Sequence, residues 1–237
     1  MFALADCNNF FVSCERVFRP DLEKIPVIVL SGNDGCIIAR SNEVKVLGIP
    51  MGAPRFKFEH LIRTYKIKTF SSNFSLYHDL SKRFMKCLKS FSPHVEIYSV
   101  DEAFLNYDNL SKEWHQLGKE MKHTIHQWLG LPISVGFAPT KTLAKIANRL
   151  AKKSRAGVWV LESQDMIENT LENTPVEDIW GVGQQWSQKL RCKGIYAALD
   201  LRNVDPRWMR KAFSVVGERL VRELQRYINK VPPSRTR

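Results

Sequence analysis

The first apolar run, "MFALAD", predicts a short strand ending on Asp6, followed by turn-prone Asn8 and Asn9 and the paired aromatics Phe10 and Phe11. "IPVIVLSGNDGCIIARS" predicts two apolar strands joined at Asn33, Asp34 and Gly35, residues that supply hairpin backbone geometry. From Asn42 to Thr69, helix-like pieces alternate with the breakers Gly48, Pro50, Gly52 and Pro54, which suits a small mixed lobe. "NFSLYHDLSKRFMKCLKSF" then spaces Phe74, Tyr77, Leu80, Phe84, Cys87, Leu88 and Phe91 at helical intervals, and Pro93 closes it. A strand pair over "EIYSVDEAFLNY", a helix around Trp114 to Trp128 and the strand "LPISVGFA" follow. Strand, helix, strand pair, helix, strand is the order of a ferredoxin-like α+β layer.

Thr140 can cap a helix over "KTLAKIANRLAKK". At 100° per residue, Lys141, Lys145, Arg149 and Lys152 fall within about 80° of one another, opposite Leu143, Ile146, Ala147, Leu150 and Ala151. On spacing alone, a solvated lysine face accounts for that stripe. Gly157 and the acidic stretch from Glu162 to Asp178 mark a boundary. Residues 161 to 180 hold six acids and no Lys or Arg, whereas residues 181 to 237 hold thirteen Lys and Arg against four acids.

Charge changes the picture next. The 237 residues carry 36 Lys and Arg against 24 acids, a formal net charge of +12, and nine of those twelve lie in the last 57 residues. Such a balance favours a polyanion, nucleic acid first and an anionic membrane surface second. No apolar run reaches 18 residues and an acid stands at position 6, so no membrane span or secretory signal is expected and a cytoplasmic protein is. Five scattered cysteines without a C-x-x-C pair argue against a disulfide frame or a zinc site.

Three carboxylates stand where predicted strands end or turn: Asp6, Asp101 and Glu102. Alone, the Asp101–Glu102 pair reads as an exposed hairpin turn. With Asp6 it makes a set of hard oxygen ligands suited to magnesium, which takes one or two carboxylates and fills its shell with water and substrate phosphates. Two such ions could clamp the attacking and leaving oxygens of a phosphoryl transfer. Neighbouring strand residues point to opposite faces, so both acids of the pair reach one ion only beside a turn or distortion.

"WGVGQQWSQKL" places Gly181 and Gly183 before a helix carrying Lys189 and Arg191, with Lys193 just beyond. A Gly-x-Gly turn followed by cations can offer backbone N–H groups to a phosphate without reading a base, as in a helix-hairpin-helix. A tight helix connection is the plainer account. Neither G-x-x-x-x-G-K-[ST] nor G-x-G-x-x-G occurs, against a P-loop NTPase or dinucleotide enzyme.

"FALADCNNFFVSCERVFRPDL", "VLSGNDGCIIAR", "FSSNFSLYHDLS", "VEIYSVDEAF", "GFAPTKTLAKIAN", "VEDIWGVG" and "VVGERLVREL" together resemble the Y-family translesion DNA polymerases, in order along nearly the whole chain, and most nearly their UmuC-like branch. The resemblance implies an α+β right-hand polymerase core: a ferredoxin-like palm over 1–10 and 72–160, small mixed fingers over 11–71, and a helical thumb over 161–230. The thumb would carry a helix-hairpin-helix near 181–194, and 231–237 would begin a linker. It implies metal-binding acids at Asp6, Asp101 and Glu102, with the Cys7 carbonyl completing one shell of two Mg2+ ions. Phe11 matches the aromatic that excludes a ribose 2′-hydroxyl, with Asn9 and Phe10 in the turn that approaches the triphosphate of a dNTP. Lys152 matches a triphosphate-binding lysine. Lys45 stands where many relatives have arginine, and Asn42 where many have tyrosine. The stripe on the 141–153 helix is thereby expected to face substrate.

The implied activity is error-prone, template-directed synthesis past lesions in SOS damage tolerance, on primer-template DNA, with UmuD-like and RecA-like proteins as possible partners. Relatives continue into a DNA-binding little finger and clamp-binding segments, which this chain does not include, so reduced DNA affinity and processivity are expected. The competing expectation is a non-catalytic relative that binds DNA or partner proteins and modulates a full-length polymerase.

Overall fold

The computed structural model describes residues 1–107 and 113–226. Its centre is a five-stranded sheet in the order β5-β6-β1-β7-β8. The strands are β1 (Phe2–Cys7), β5 (Val95–Ile97), β6 (Glu102–Asn106), β7 (Ile133–Ala138) and β8 (Val158–Val160). Strand β1 lies between β6 and β7, antiparallel to both, with Asp6 opposite Glu102 on one side and Ser134 on the other. The first four of these strands in chain order, with helices α4 (Phe74–Leu88) and α5 (Trp114–Leu129) as crossovers, form the ferredoxin-like layer that the apolar pattern predicts. The sequence reading did not foresee β8, which adds to β7 in parallel through only three residues, too few for a period to show.

The two faces of this sheet bury different clusters, as strand alternation requires. Ala3, Ala5, Cys7, Ala103 and Leu105 join one large core with Phe84 and Leu88 of α4 and Met121 and Ile125 of α5. Helix α1 (Phe10–Phe18) contributes Phe10, Val12 and Cys14 to the same core. Leu4 and Phe104 face the other way, onto Leu143, Ile146 and Ala147 of α6 (Lys141–Lys153). Thr140 caps α6 as predicted, its side chain accepting from the Leu143 N–H.

Helix α6 lies very close to β7. A β-carbon on Gly136 would fall 2.1 Å from the Asn148 backbone nitrogen, so only glycine fits. Buried Asn148 exploits that approach, its Nδ2 donating to the carbonyls of Leu4 at 3.0 Å and Ser134 at 2.8 Å. The cations of α6 are thus held in fixed positions over β1 and β7.

A smaller sheet, β3-β2-β4, sits beside this layer, from β2 (Val27–Leu30), β3 (Ile37–Arg40) and β4 (Lys68–Ser71). The predicted β2–β3 hairpin forms, and β4 pairs with β2 in parallel. Helices α2 (Asn42–Val46) and α3 (Glu59–Thr64) complete the lobe, whose own core holds Ile28, Ile37, Val44, Ile49 and Ile62.

Residues 164–225 are helical: α7 (Gln164–Glu172), α8 (Gln184–Arg191), α9 (Ala198–Arg202) and α10 (Pro206–Gln225). Inside α10, Ser214 adopts φ 74°, a break between two helical stretches. The predicted linker start, 231–237, and the end of the predicted thumb, 227–230, lie outside the described residues. Among the described residues all five cysteines are free, and no helix is long and apolar enough to cross a membrane.

Phe74, placed with the apolar positions of α4, is 57% exposed because it opens the helix at its solvent end, capped by the Asn73 side chain.

Candidate active site

Asp6 sits at the end of β1 on the α6 face, directly across from Glu102 at the start of β6. Asp101 belongs to the turn immediately before β6, where its carbonyl accepts from the Cys7 N–H at 2.8 Å and its Oδ1 accepts from the Ser99 hydroxyl at 2.6 Å. The acidic pair therefore straddles a strand end, the arrangement that alternation demands if both are to approach one ion. Burial pushes the Asp6 carboxyl up to about 6, against the lowering pull of Lys152, and the charges of Asp101 and Glu102 raise it further. Three carboxylates thus share one field, which suits a hard divalent cation. Among the described residues, no three His, Cys, Asp or Glu side chains are drawn together as a ready ligand cage.

Lysines from α6 balance the acids instead. Lys152 Nζ lies 2.7 Å from Asp6 Oδ1, and Lys145 Nζ lies 2.8 Å from both Glu102 oxygens. Lys141 pairs with Glu96 and Arg149 with Asp178. Every cation of the predicted stripe has a carboxylate partner, so the face is not the freely solvated one that spacing alone suggests. The Cys7 thiol is buried, and burial, then Cys14 and Asp6, push it well above the usual thiol range. The thiol therefore stays protonated at neutral pH, leaving the backbone carbonyl as the group on Cys7 suited to a cation.

Asn9, the N-cap of α1, adopts a left-handed conformation with φ 51°. Its Nδ2 donates to Asn42 Oδ1 at 3.0 Å, and its Oδ1 accepts from Lys45 Nζ. The structure thus brings together Asn9, Asn42 and Lys45, which are 33 and 36 residues apart in sequence. Partial desolvation, then repulsion from Arg40 and Lys152, lowers the pKa of the exposed Lys45 ammonium below the ordinary lysine value. Arg40, which the sequence reading missed, is the third cation of this group. Its signal was the alternation of β3, which puts Ile38 and Arg40 on the face opposite Ile37 and Ala39.

Phe10 and Phe11 separate sharply. The Phe10 ring is buried at 4% exposure in the large core, so only its backbone can approach a ligand. Phe11 is half-buried, stacked on Tyr77 at 4.5 Å and 20°, and meets Phe74 edge-on at 6.2 Å. With Val100 and His78 these rings line an open cavity of about 450 Å³. Exposed Phe74 completes that wall.

In the helical part, Gly181 takes φ +91° and Gly183 caps α8. Lys189, Arg191 and Lys193 are exposed, and Arg191 pairs with Glu177. The element before the turn is a single 3-10 turn, Val176–Asp178, so the first helix of the predicted motif is very short. This part docks on α6, where Glu223 accepts from the Thr142 N–H at 3.1 Å and Arg149 meets Asp178.

The fold is that of the Y-family DNA polymerases. An insertion ternary complex of Dbh DNA polymerase matches 98% of this chain and 69% of its own, with a TM-score of 0.83 and 23% identity. The chain belongs to the impB/mucB/samB family, whose model matches residues 5–149. Protein ImpB of Salmonella typhimurium is 48% identical over 232 residues, covering 94% of this chain and 54% of that protein. Protein UmuC of Salmonella typhimurium strain LT2 is 48% identical over 230 residues, covering 95% and 54%. The chain thus spans about half the length of the curated relatives it matches.

Proposed function

We propose that this chain is the catalytic core of a template-directed DNA polymerase of the error-prone, translesion type, transferring nucleotides from dNTP to a primer 3′-hydroxyl in DNA damage tolerance. One observation carries the reading: Asp6 and Glu102 face each other across β1 and β6 with Asp101 in the adjoining turn, all in one field. The large sheet and its helices act as the palm, the small lobe as fingers, and residues after 161 as the thumb.

Two Mg2+ ions, held by Asp6, Asp101, Glu102 and the Cys7 carbonyl, would neutralise phosphate charge and lower the barrier to attack by the primer hydroxyl. The chain's own residues do the rest. Lys45 and Arg40, with Lys152 released from Asp6, provide positive charge for the triphosphate, and Asn9 and Asn42 hold Lys45 in place. Phe11, backed by Tyr77, walls the sugar. The α8 turn and Lys189, Arg191 and Lys193 hold duplex phosphates. A new bond joins the primer oxygen to the α-phosphorus, and the bond from that phosphorus to the bridging oxygen of the β-phosphate breaks as pyrophosphate leaves. The hydroxyl proton passes to water.

Work on DNA suits a cytoplasmic protein, and the similarity to UmuC suggests UmuD-like and RecA-like partners. The test is primer extension at low salt with Mg2+ and dNTPs. Extension lost in Asp101→Ala supports the reading. Duplex binding with no turnover at any protein concentration would leave only a DNA-binding relative.

A further inference from the structure

Lys145 projects from the middle of α6, and its surroundings differ from those of the other three cations on that face. Its Nζ donates to both Glu102 oxygens, and the two side chains are only 17% and 14% exposed. The same ammonium lies 4.2 Å from the ring centre of Tyr98, 5.3 Å from Trp180 and 5.8 Å from Phe104. Trp180 Nε1 donates to the Tyr98 hydroxyl at 3.1 Å, and the two rings meet edge to face at 5.4 Å. Lys141, by contrast, approaches one ring, and Arg149 and Lys152 are 45% and 42% exposed.

The enclosure is assembled from separate places. Tyr98 belongs to the turn that delivers the acidic pair, Phe104 follows Glu102 on the same face of β6, and Trp180 immediately precedes Gly181. One ammonium therefore meets both a proposed metal carboxylate and the ring of Trp180, the residue next to the turn proposed to hold DNA phosphates. We propose that Lys145 is a positioning residue that orients the Glu102 carboxylate and, through Tyr98 and Trp180, links cation loading at that carboxylate to seating of DNA at the Gly181–Gly183 turn. The inference deepens the polymerase reading and rests on it.

Two consequences follow from the geometry. With both oxygens held by an ammonium, Glu102 accepts a divalent cation only by yielding at least one of them, so the like charge of Lys145 opposes cation binding in the free protein. The aromatic faces retain the ammonium when that happens, because their attraction for a cation does not depend on the carboxylate, and Lys145 stays to orient Glu102 during reaction. Removing Lys145 then tightens cation binding and slows turnover. A residue serving only the fold would weaken both. Linkage also requires that if DNA alters cation affinity through Trp180, the cation alters DNA affinity by the same factor.

The experiment measures Mn2+ binding to the 237-residue chain by calorimetry, with and without a primer-template duplex, beside primer-extension kinetics. Lys145→Met is expected to bind Mn2+ about tenfold more tightly while kcat falls at least about tenfold and KM for dNTP changes less than about threefold. Lys145→Arg should return both values towards the parent. Trp180→Leu should abolish the effect of duplex on Mn2+ affinity that the parent shows. The proposal is overturned if Lys145→Met matches the parent in Mn2+ affinity, or if duplex leaves the parent's affinity unchanged. Should Lys145→Met fail to fold, Trp180→Leu decides: an effect of duplex on Mn2+ affinity equal to the parent's in that variant overturns it. A parent chain that neither binds Mn2+ nor extends a primer instead overturns the polymerase reading underneath.

Discussion

Lys152 Nζ closes to 2.7 Å on Asp6 Oδ1, so a cation whose place in the family resemblance suggests a phosphate ligand holds a carboxylate. Asp6 remains costly to ionise even so, with its carboxyl pushed up to about 6 by burial. Folded protein thus holds this proton to higher pH than unfolded chain does. The resulting stabilisation is complete below pH 3.8, is lost as pH rises through about 6, and amounts to on the order of 3 kcal/mol. Asp6→Asn should therefore flatten the melting temperature between pH 4 and 6 and raise stability at pH 7 relative to the parent. Millimolar Mg2+ should stabilise the parent at pH 7 and not the variant. Thermal melts across pH, with and without Mg2+, check both, and an unchanged pH profile would remove Asp6 as the responsible group.

Phe11 is held on both sides, by the Tyr77 face and the Phe74 edge, and Tyr77 is itself anchored through its hydroxyl to Glu15 at 2.7 Å. A wall must be rigid to reject one hydroxyl. Phe11→Ala is expected to raise the ratio of ribonucleotide to deoxyribonucleotide incorporation roughly 100-fold. Tyr77→Phe, which keeps the stack and loses the Glu15 hydrogen bond, should cost about 1 kcal/mol of stability with little change in the ratio. Single-nucleotide insertion with matched dNTP and rNTP reads the first effect, and denaturant unfolding reads the second.

Much of this site was legible because apolar patterning fixes where strands end. Asp6 and the Asp101–Glu102 pair interrupt apolar runs, and interruptions at strand ends mark positions the fold exposes to chemistry. The stripe on α6 was equally visible as a helical period. Its ion pairs were not, since Glu96, Glu102, Asp178 and Asp6 come from four separate segments that only the tertiary fold assembles. Arg40 escaped notice because the alternation of a four-residue strand gives its face but not what that face meets. Exposed Phe74 shows a related limit: helical spacing shows which residues share a face, but not where the neighbouring element stops covering it.

Asn148 and Gly136 set the depth at which α6 lies on the sheet. Asn148→Ala leaves two buried carbonyls each short of one donor, and about 2 kcal/mol of stability should be lost. Gly136→Ala forces a β-carbon against α6 backbone that cannot move alone, and should cost about 3 kcal/mol while shifting Lys145 and Lys152 together. Activity should then fall more in Gly136→Ala than in Asn148→Ala, compared at temperatures where both are fully folded. Equal activity in both would show that the spacing of α6 is unimportant to the site.

The cations near α8 are not equivalent, although sequence presents them as one cluster. Arg191 is engaged with Glu177, whereas Lys189 and Lys193 stand exposed beside the Gly181–Gly183 turn. A cation already paired must give up its partner to meet a phosphate, so its net contribution to DNA binding is smaller. Each free lysine that contacts phosphate contributes close to one unit to the slope of log affinity against log salt. Lys189→Ala and Lys193→Ala should each weaken duplex binding evenly across sequences and reduce that slope by roughly 1, with Arg191→Ala changing it less. Fluorescence anisotropy of a labelled duplex between about 50 and 200 mM salt resolves the difference. A steeper loss in Arg191→Ala than in either lysine variant would mean that Glu177 releases Arg191 on binding, and that the ion pair is a resting state of the DNA site.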